Sequence, residues 1–312
     1  MRDISPELRA ELERKAYQIR RLSLEMITYG QVGHPGGSLS EAETLACLYF
    51  AVMRLDPQNP QWPERDRFVM SKAHGCPGQY AALALRGFFP VEELYTYGAV
   101  DSRLQSHPDM RKTPGIEMSG GSLGQGLSTA VGMAIGLRHF RRWRARVYCL
   151  VGDGECQSGQ IWEAAMAAAH YRLDNLIAIL DYNKVQAKGF LHDMVGIEPI
   201  ADKWRSFGWE VLEVDGHDVG EITRALHVAR DIHVRGKPTM IVAHTVKGMG
   251  VDWMEFNYRW HTHAPLPEET DQALRTLARR YGQPEEGYTR LGEDGVMRAR
   301  RRSDLGVTDQ PA

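Results

Sequence analysis

The sequence predicts an α/β protein in which a parallel sheet carries helices on both faces. Short, almost wholly apolar segments alternate with longer segments of helical periodicity along most of the chain. A strand that is apolar throughout is typical of a parallel sheet, because helices cover both of its sides. The predicted strands lie at 67–71, 146–151, 176–181, 209–214 and 239–244.

Helices are predicted before and between these strands. The first, 6–29, places apolar residues such as Leu12 and Ile19 on one face and charged residues on the other. The others span 40–53, 77–87, 123–143, 159–171 and 218–234. Two stretches rich in Gly, Pro, Ser and His are predicted loops, at 30–38 and 98–122. A loop as long as the second is usually functional or disordered.

The chain is predicted to form one domain over residues 1–296, followed by a disordered tail at 297–312. The full length of 312 residues lies within the range of single α/β domains. The tail is charged and then polar, without a periodic apolar pattern.

Composition and charge argue against several classes of protein. Lys and Arg (38) nearly balance Asp and Glu (40), so no nucleic-acid or anionic-membrane partner is expected. A basic cluster at 141–146 is interpreted as a solvated helix end. We find no apolar run of membrane-spanning length and no apolar core of a signal peptide, which predicts a cytoplasmic protein without membrane spans. The four cysteines have no metal-type spacing and are expected to be free thiols.

Polar residues follow two consecutive predicted strands. Gly152, Asp153 and Gly154 come after one strand, and Asn183 comes after the next. The carboxyl ends of parallel strands meet at one edge of a sheet, so these side chains can reach one crevice. Carboxylate and amide oxygens suit Mg²⁺ or Ca²⁺, and Mg²⁺ often completes its shell with phosphate oxygens. Because glycines let the backbone approach an anion closely, the pattern predicts a metal–diphosphate site.

This segment resembles the thiamine diphosphate signature of transketolase-like enzymes. Further blocks are similar to those of transketolases and follow in the same order. They lie at 33–37, 71–75, 106–108 with 113–117 and 121–126, and 260–261 with 264–266. The resemblance covers roughly residues 6–270, and the chain is identified as a member of the transketolase family. It corresponds to the N-terminal half of a transketolase, the domain that binds the diphosphate group of thiamine diphosphate.

The resemblance implies a site and roles for its residues. The metal, Mg²⁺ or Ca²⁺, would be held by Asp153, Asn183 and the backbone carbonyl of Val185. The catalytic residues would be His34, His107 and His261, which lie near substrate oxygens and can exchange protons at neutral pH. Residues expected to contact thiamine diphosphate are His74, Gly121, Leu123, Gly152, Asp153, Gly154, Asn183 and His261. The remaining histidines are expected to be structural.

Two further positions, both in the segment after Asp153, are informative in comparison with relatives. Relatives place a carboxylate near a subunit interface at the position of Glu163, and a solvated helix glutamate is the equal alternative. Most relatives carry Glu where this chain has Ser158, which puts a proton network between active sites in doubt.

The resemblance also implies a partner. Transketolases activate thiamine diphosphate with a glutamate from a pyrimidine-binding domain, for which this sequence leaves no segment after its last block. A separate C-terminal transketolase subunit is therefore expected, in an α2β2 heterotetramer that is active only when both subunits are present. The expected reaction moves a two-carbon ketol unit from a ketose to an aldose, with sugar phosphates as substrates.

Four alternatives stay open at this stage. The chain could serve a split transketolase-like enzyme specialised for a modified sugar, or be the alpha subunit of a 2-oxoacid dehydrogenase. It could also bind the cofactor without catalytic function. A mononuclear metal hydrolase is conceivable from the histidines, although their spacing is not of the metal-binding type.

Overall fold

The computed structural model describes residues 4–140, 144–231, 235–285 and 287. The tail predicted at 297–312 lies outside these residues. So do the predicted ends of the helices at 123–143 and 218–234, and part of the basic cluster at 141–146.

Within the described residues, five strands form one parallel sheet in the order β1-β2-β3-β7-β6. The strands are β1 (Arg67–Met70), β2 (Val147–Gly152), β3 (Leu176–Tyr182), β6 (Glu210–Asp215) and β7 (Thr239–His244). This confirms the predicted fold class and places every predicted strand within one residue of its expected limits. A short antiparallel hairpin of β4 (Val185–Gln186) and β5 (Gly189–Phe190) follows β3 and was not predicted.

Helices cover both faces of the sheet. On one face lie α1 (Pro6–Gly30), α3 (Ala42–Cys47), α4 (Cys76–Arg86) and α9 (Val219–Asp231). On the other lie α5 (Gln125–His139), α6 (Gly159–His170) and α8 (Ile200–Ser206). Each face of the sheet has its own hydrophobic core, and side chains of β2 alternate between the two. Tyr148 and Leu150 pack into the first core, and Cys149 and Val151 pack into the second.

The N-terminal helices differ partly from the prediction. Helix α1 matches it and begins at a cap in which the Ser5 hydroxyl accepts the Leu8 N–H at 3.2 Å. The expected loop at 30–38 instead contains α2 (Pro35–Ser40), whose first residue is a proline with a backbone suited to a helix start. The helix predicted at 40–53 is α3 continued by one π turn, Leu48–Val52.

Among the described residues, three more α-helices were not predicted: α7 (Leu191–Met194), α8 (Ile200–Ser206) and α10 (Pro267–Arg280). Helix α10 packs Leu274 and Leu277 into a third core against α1, and its charged residues face outward. Segment 98–122 contains neither helix nor strand, as predicted.

The connections leave a crevice at the carboxyl edge of the sheet. Helix α6 links β2 to β3 on one face, whereas α9 links β6 to β7 on the opposite face. Strands β3 and β7 are neighbours, so the direction of winding changes between them. Ligands of open α/β sheets bind at such a change.

Two predictions about the chain's chemistry can be compared with this structure. The four cysteines are buried and form no disulfide, as expected. In the ranges given above, no helix has the length and apolar character needed to cross a bilayer.

Candidate active site

A cavity of about 120 Å³ lies at the carboxyl ends of β1, β2, β3 and β7. Eight of the residues expected to bind cofactor or metal line it: His74, Leu123, Gly152, Asp153, Gly154, Asn183, Val185 and His261. Residues that the sequence did not single out, among them Lys72, Glu155, Asp181, Gln186 and Lys247, complete the lining.

Asp153 stands at the end of β2 with its carboxylate buried. One oxygen accepts the Gly154 N–H at 2.7 Å, and the other accepts the Lys184 N–H at 2.5 Å. Burial, together with the nearby Asp181 carboxylate, raises the pKa of Asp153 to about 6. A divalent cation at this carboxylate would offset both effects.

Asn183 and Val185 supply neutral oxygens beside this carboxylate. The Asn183 amide nitrogen donates to Asp181 at 3.0 Å, which fixes the orientation of the amide group. Its oxygen accepts the Val185 N–H at 3.1 Å. One carboxylate, one amide oxygen and one backbone carbonyl form the kind of hard donor set that Mg²⁺ or Ca²⁺ prefers.

The ammonium group of Lys247 is a positive charge that lies beside these oxygens. It lies 3.0 Å from the Val185 carbonyl oxygen and 2.8 Å from Nδ1 of His261. Burial lowers the pKa of Lys247 to about 8, although Asp153 opposes the shift. Among the described residues, no group of three or more His, Cys, Asp and Glu is placed to hold a metal. The candidate metal site therefore depends on the mixed oxygen set.

Asp181, the last-but-one residue of β3, connects the candidate metal site to the buried charges behind it. Its carboxylate accepts from Ser40 at 2.7 Å, from Lys72 at 2.5 Å and from Thr245, besides Asn183. Burial would raise the pKa of Asp181, but Lys72 and these donors hold it below its usual value. Asp181 thus fixes the position of Asn183.

The ammonium group of Lys72 is buried and has three polar partners. Besides Asp181 it contacts Glu41 at 2.8 Å and the Gly37 carbonyl at 3.0 Å. Burial raises the pKa of Glu41 to about 8, and Lys72 opposes that rise. The buried cation lies beside the predicted histidines.

The four predicted histidines form one cluster. The ring centre of His34 lies 5.0 Å from that of His74, 5.3 Å from His261 and 6.2 Å from His107. The rings of His74 and His261 are 5.3 Å apart. Four segments that are distant in the sequence therefore bring imidazoles to one place, and the catalytic and cofactor roles of these residues stay predictions.

Burial keeps three of these imidazoles neutral. It lowers the pKa of His34 to about 4 and that of His261 to about 3, with nearby cations adding to the effect. The pKa of His74 is also lowered, first by burial and then by Lys72. A neutral imidazole has one N–H donor and one acceptor nitrogen, so each of these rings can donate one hydrogen bond and accept another at pH 7.

Two buried nitrogens around the cavity indicate that a polar ligand belongs there. Within the described ranges, His34 Nδ1 and Gln186 Nε2 have no hydrogen-bond partner. Buried polar atoms are normally paired, and an exception calls for an explanation such as a ligand. The oxygen set, the two cations and these nitrogens together fit a metal-bound diphosphate.

The loop before α5 closes one side of the site. Gly121 lies against the His107 ring, where an added Cβ would be 3.7 Å from the imidazole. Leu123 borders the cavity and is 47% exposed. This arrangement is compatible with the expected contacts of Gly121 and Leu123, whose roles stay predictions.

The two positions after Asp153 also stay predictions. Ser158 packs against Gly124, whose added Cβ would meet the Ser158 hydroxyl at 2.6 Å. Glu163 lies exposed on α6.

Sequence reasoning missed Lys247 and Asp181, although one signal could have found Lys247. Lys247 follows the carboxyl end of β7, as Asp153 and Asn183 follow β2 and β3. Asp181 lies inside an apolar strand, where the sequence gives no sign of a function. Its role is visible only from its partners, which come from three other segments.

Comparisons with known proteins agree with this site. Residues 12–290 match the family described as the thiamine diphosphate binding domain of transketolase. The chain is 51% identical over 263 residues to a 6-deoxy-6-sulfo-D-fructose transketolase subunit from a Clostridium species, covering 84% of this chain and 94% of that protein. It is 42% identical to an apulose-4-phosphate transketolase subunit from Actinobacillus succinogenes, covering 86% of this chain and 96% of that one.

A solved structure gives the same result. Transketolase from Leishmania mexicana matches with a TM-score of 0.82 and 32% identity, over 89% of this chain and 42% of that chain. The fold and site define a thiamine-diphosphate-dependent enzyme of the α/β class. The chain belongs to the transketolase family, a family of transferases, and contains its thiamine-diphosphate-binding domain. The match favours this family over the alpha subunit of a 2-oxoacid dehydrogenase.

Proposed function

We propose that this chain is the cofactor-binding subunit of a two-subunit transketolase that moves a two-carbon ketol unit from a ketose to an aldose. The observation that carries the proposal is the meeting, at one cavity, of the oxygens of Asp153, Asn183 and Val185 with the histidine cluster. The proposed cofactor-binding domain spans residues 1–296, supported by the family match over 12–290.

The proposed metal is Mg²⁺, with Ca²⁺ as the alternative, held by Asp153, Asn183 and the Val185 carbonyl. The diphosphate would be held by this metal and by His74, His261, Lys247 and Gln186, and Gly152 and Gly154 would let it lie close to the backbone. Gly121 and Leu123 would contact the rings of the cofactor. When bound, thiamine diphosphate supplies the nucleophilic carbon that ketol transfer requires.

The histidines would handle the protons of the substrate. Lys247 donates to Nδ1 of His261, which leaves the proton of that imidazole on Nε2. His34 and His107, whose ring centres are 6.2 Å apart, are the proposed partners of substrate hydroxyl and carbonyl oxygens. Neutral His34 has a free ring nitrogen that could accept a hydroxyl proton, and because burial disfavours the protonated ring, that proton would return readily to the product.

Exposed apolar residues at the mouth of the cavity and on α5 and α6 support a partner subunit. Leu123 at the mouth of the cavity is 47% exposed, and Ile135 on α5 and Met166 on α6 are 37% and 54% exposed. Large apolar side chains that remain exposed often mark protein interfaces. We propose that a C-terminal transketolase subunit, bringing the pyrimidine-binding domain and the activating glutamate, covers this face in an α2β2 assembly.

The names of the relatives narrow the choice of substrate for the proposed reaction. Both similar subunits carry names of enzymes that act on unusual sugars, 6-deoxy-6-sulfo-D-fructose and apulose-4-phosphate. We propose a modified sugar carrying an anionic sulfonate or phosphate as the donor. An ordinary sugar phosphate is the second candidate, favoured by the structural likeness to a transketolase from Pichia stipitis in complex with sedoheptulose-7-phosphate.

The test is a transfer assay with purified subunits. The chain is mixed with a transketolase C-terminal subunit from the same genome, thiamine diphosphate, Mg²⁺ and an aldose phosphate acceptor. The donors compared are 6-deoxy-6-sulfo-D-fructose, apulose-4-phosphate and fructose-6-phosphate. We expect transfer only when both subunits are present, and fastest with one of the first two donors. Turnover by the chain alone would contradict the two-subunit proposal, and a preference for fructose-6-phosphate would contradict the proposed substrate.

A further inference from the structure

Glu155 is a buried carboxylate behind the Gly152-Asp153-Gly154 turn, only 3% exposed. One of its oxygens accepts from the Ser71 hydroxyl at 2.5 Å and from the Gly124 N–H at 2.8 Å. The other accepts the Gly152 N–H at 3.0 Å. Glu155 is therefore an acceptor in all three contacts.

The three partners belong to three separate segments that face the cavity. Ser71 follows β1 and leads into the turn that carries His74. Gly124 directly follows Leu123, and Gly152 directly precedes Asp153. One carboxylate thus joins the segments that carry His74, Leu123 and Asp153.

The loop at Gly124 depends on this external acceptor. Gly124 has a φ of +88°, a conformation that glycine adopts without strain, and its position against Ser158 leaves no room for a side chain. As the residue that caps α5, it therefore has no side chain of its own to fix the turn. The negative charge of a carboxylate is also favourable at the N-terminal end of a 15-residue helix.

We propose that Glu155 is a positioning residue that holds the three cofactor-facing segments in register. It acts through His74, Leu123 and Asp153 and is not itself placed to exchange protons with substrate. The proposal rests on the proposed function for the identity of the ligand, thiamine diphosphate. The contacts of Glu155 with the three segments stand independently of that ligand.

The first test measures cofactor affinity in the complete two-subunit enzyme. Thiamine diphosphate is titrated in the presence of Mg²⁺ into the parent and into Glu155→Gln, which keeps the side-chain shape but turns one acceptor into a donor. We expect about tenfold weaker binding, and a turnover number at saturating cofactor that is close to that of the parent. Glu268→Gln, the same change at an exposed position on α10, is expected to leave affinity unchanged.

Ser71→Ala keeps the test decisive if Glu155→Gln fails to fold. It removes a single donor from the contact set with little change in volume, and about threefold weaker binding is expected. Parent-like affinity in every folded variant would overturn the proposal.

A second readout needs no cofactor. Hydrogen–deuterium exchange of the backbone at 119–126 is compared in the cofactor-free chain, where the proposal predicts faster exchange in Glu155→Gln than in the parent. Unchanged exchange in this segment would overturn the positioning role. If the parent enzyme does not bind thiamine diphosphate, the proposed function fails, and the exchange result alone decides the role of Glu155.

Discussion

Replacing Asp153 with Asn is expected to weaken the Mg²⁺-dependent binding of thiamine diphosphate by more than about 100-fold. Asp153 is the single anionic group among the three proposed metal ligands, and the two others contribute neutral oxygens. Asparagine keeps the shape of the side chain but removes the charge that would balance a divalent cation. Transfer activity should fall in parallel, because a site without metal cannot retain the diphosphate.

The measurement is a calorimetric titration of thiamine diphosphate with Mg²⁺ into the two-subunit enzyme. Asp202→Asn makes the same change at an exposed position on α8 and should bind like the parent. Circular dichroism of both variants checks that the fold is retained. An Asp153→Asn enzyme that is folded and binds the cofactor with parental affinity would show that Asp153 is not a metal ligand.

The second large effect concerns stability and lies outside the cavity. Arg20 on α1 is wholly buried and forms two parallel hydrogen bonds with Glu43 on α3, at 2.5 and 2.6 Å. His217, which accepts the Val246 N–H, contacts the same carboxylate at 3.0 Å. Glu43→Gln leaves a buried guanidinium without its counter-charge, so we expect a loss of about 3–5 kcal/mol in the free energy of unfolding.

A matched control exists on the surface. Glu93 pairs with Arg103 through two hydrogen bonds at 2.8 and 2.7 Å, but both side chains are about one-third exposed. Glu93→Gln is expected to cost less than about 1 kcal/mol, because water screens and replaces this pair. Chemical denaturation of both variants measures the difference. Equal losses in the two variants would show that burial does not strengthen the Arg20–Glu43 pair.

The same pair predicts a dependence of stability on pH. Burial would raise the pKa of Glu43, but Arg20 and His217 outweigh it and lower the pKa to about 2 from the usual 4.5. A lowered carboxyl pKa stabilises the folded state fully above pH 4.5, and this contribution is lost as the pH falls towards 2. The shift corresponds to about 3 kcal/mol. The stability advantage of the parent over Glu43→Gln should therefore shrink across this range, whereas a constant difference would contradict the lowered pKa.

The sequence allowed the sheet and part of the site to be predicted, for physical reasons that differ between residues. Buried parallel strands are apolar throughout, so their limits are visible without a structure. Asp153 and Asn183 could be found because strand ends of a parallel sheet share one edge. The four histidines have no spacing that links them, and only the resemblance to transketolases brought them together.

Other parts of the site depend on contacts that a sequence does not display. Glu155 is joined to Ser71 and Gly124 across 84 and 31 positions. The pairing of Lys72 with Glu41 and Asp181 likewise forms only when α2 and the ends of β1 and β3 pack together. The glycines and the proline of α2 are typical of turns and predict a loop there, although a proline at the first position favours a helix start.

The most direct test of the central claim is to titrate thiamine diphosphate with Mg²⁺ into this chain, first alone and then with its transketolase C-terminal subunit. We expect weak binding by the chain alone and tight binding once the partner is present, since half of the proposed site belongs to that partner. Binding by the mixture that is no tighter than binding by the chain alone would contradict a shared active site. No binding in a folded mixture would contradict the assignment of the cavity to thiamine diphosphate.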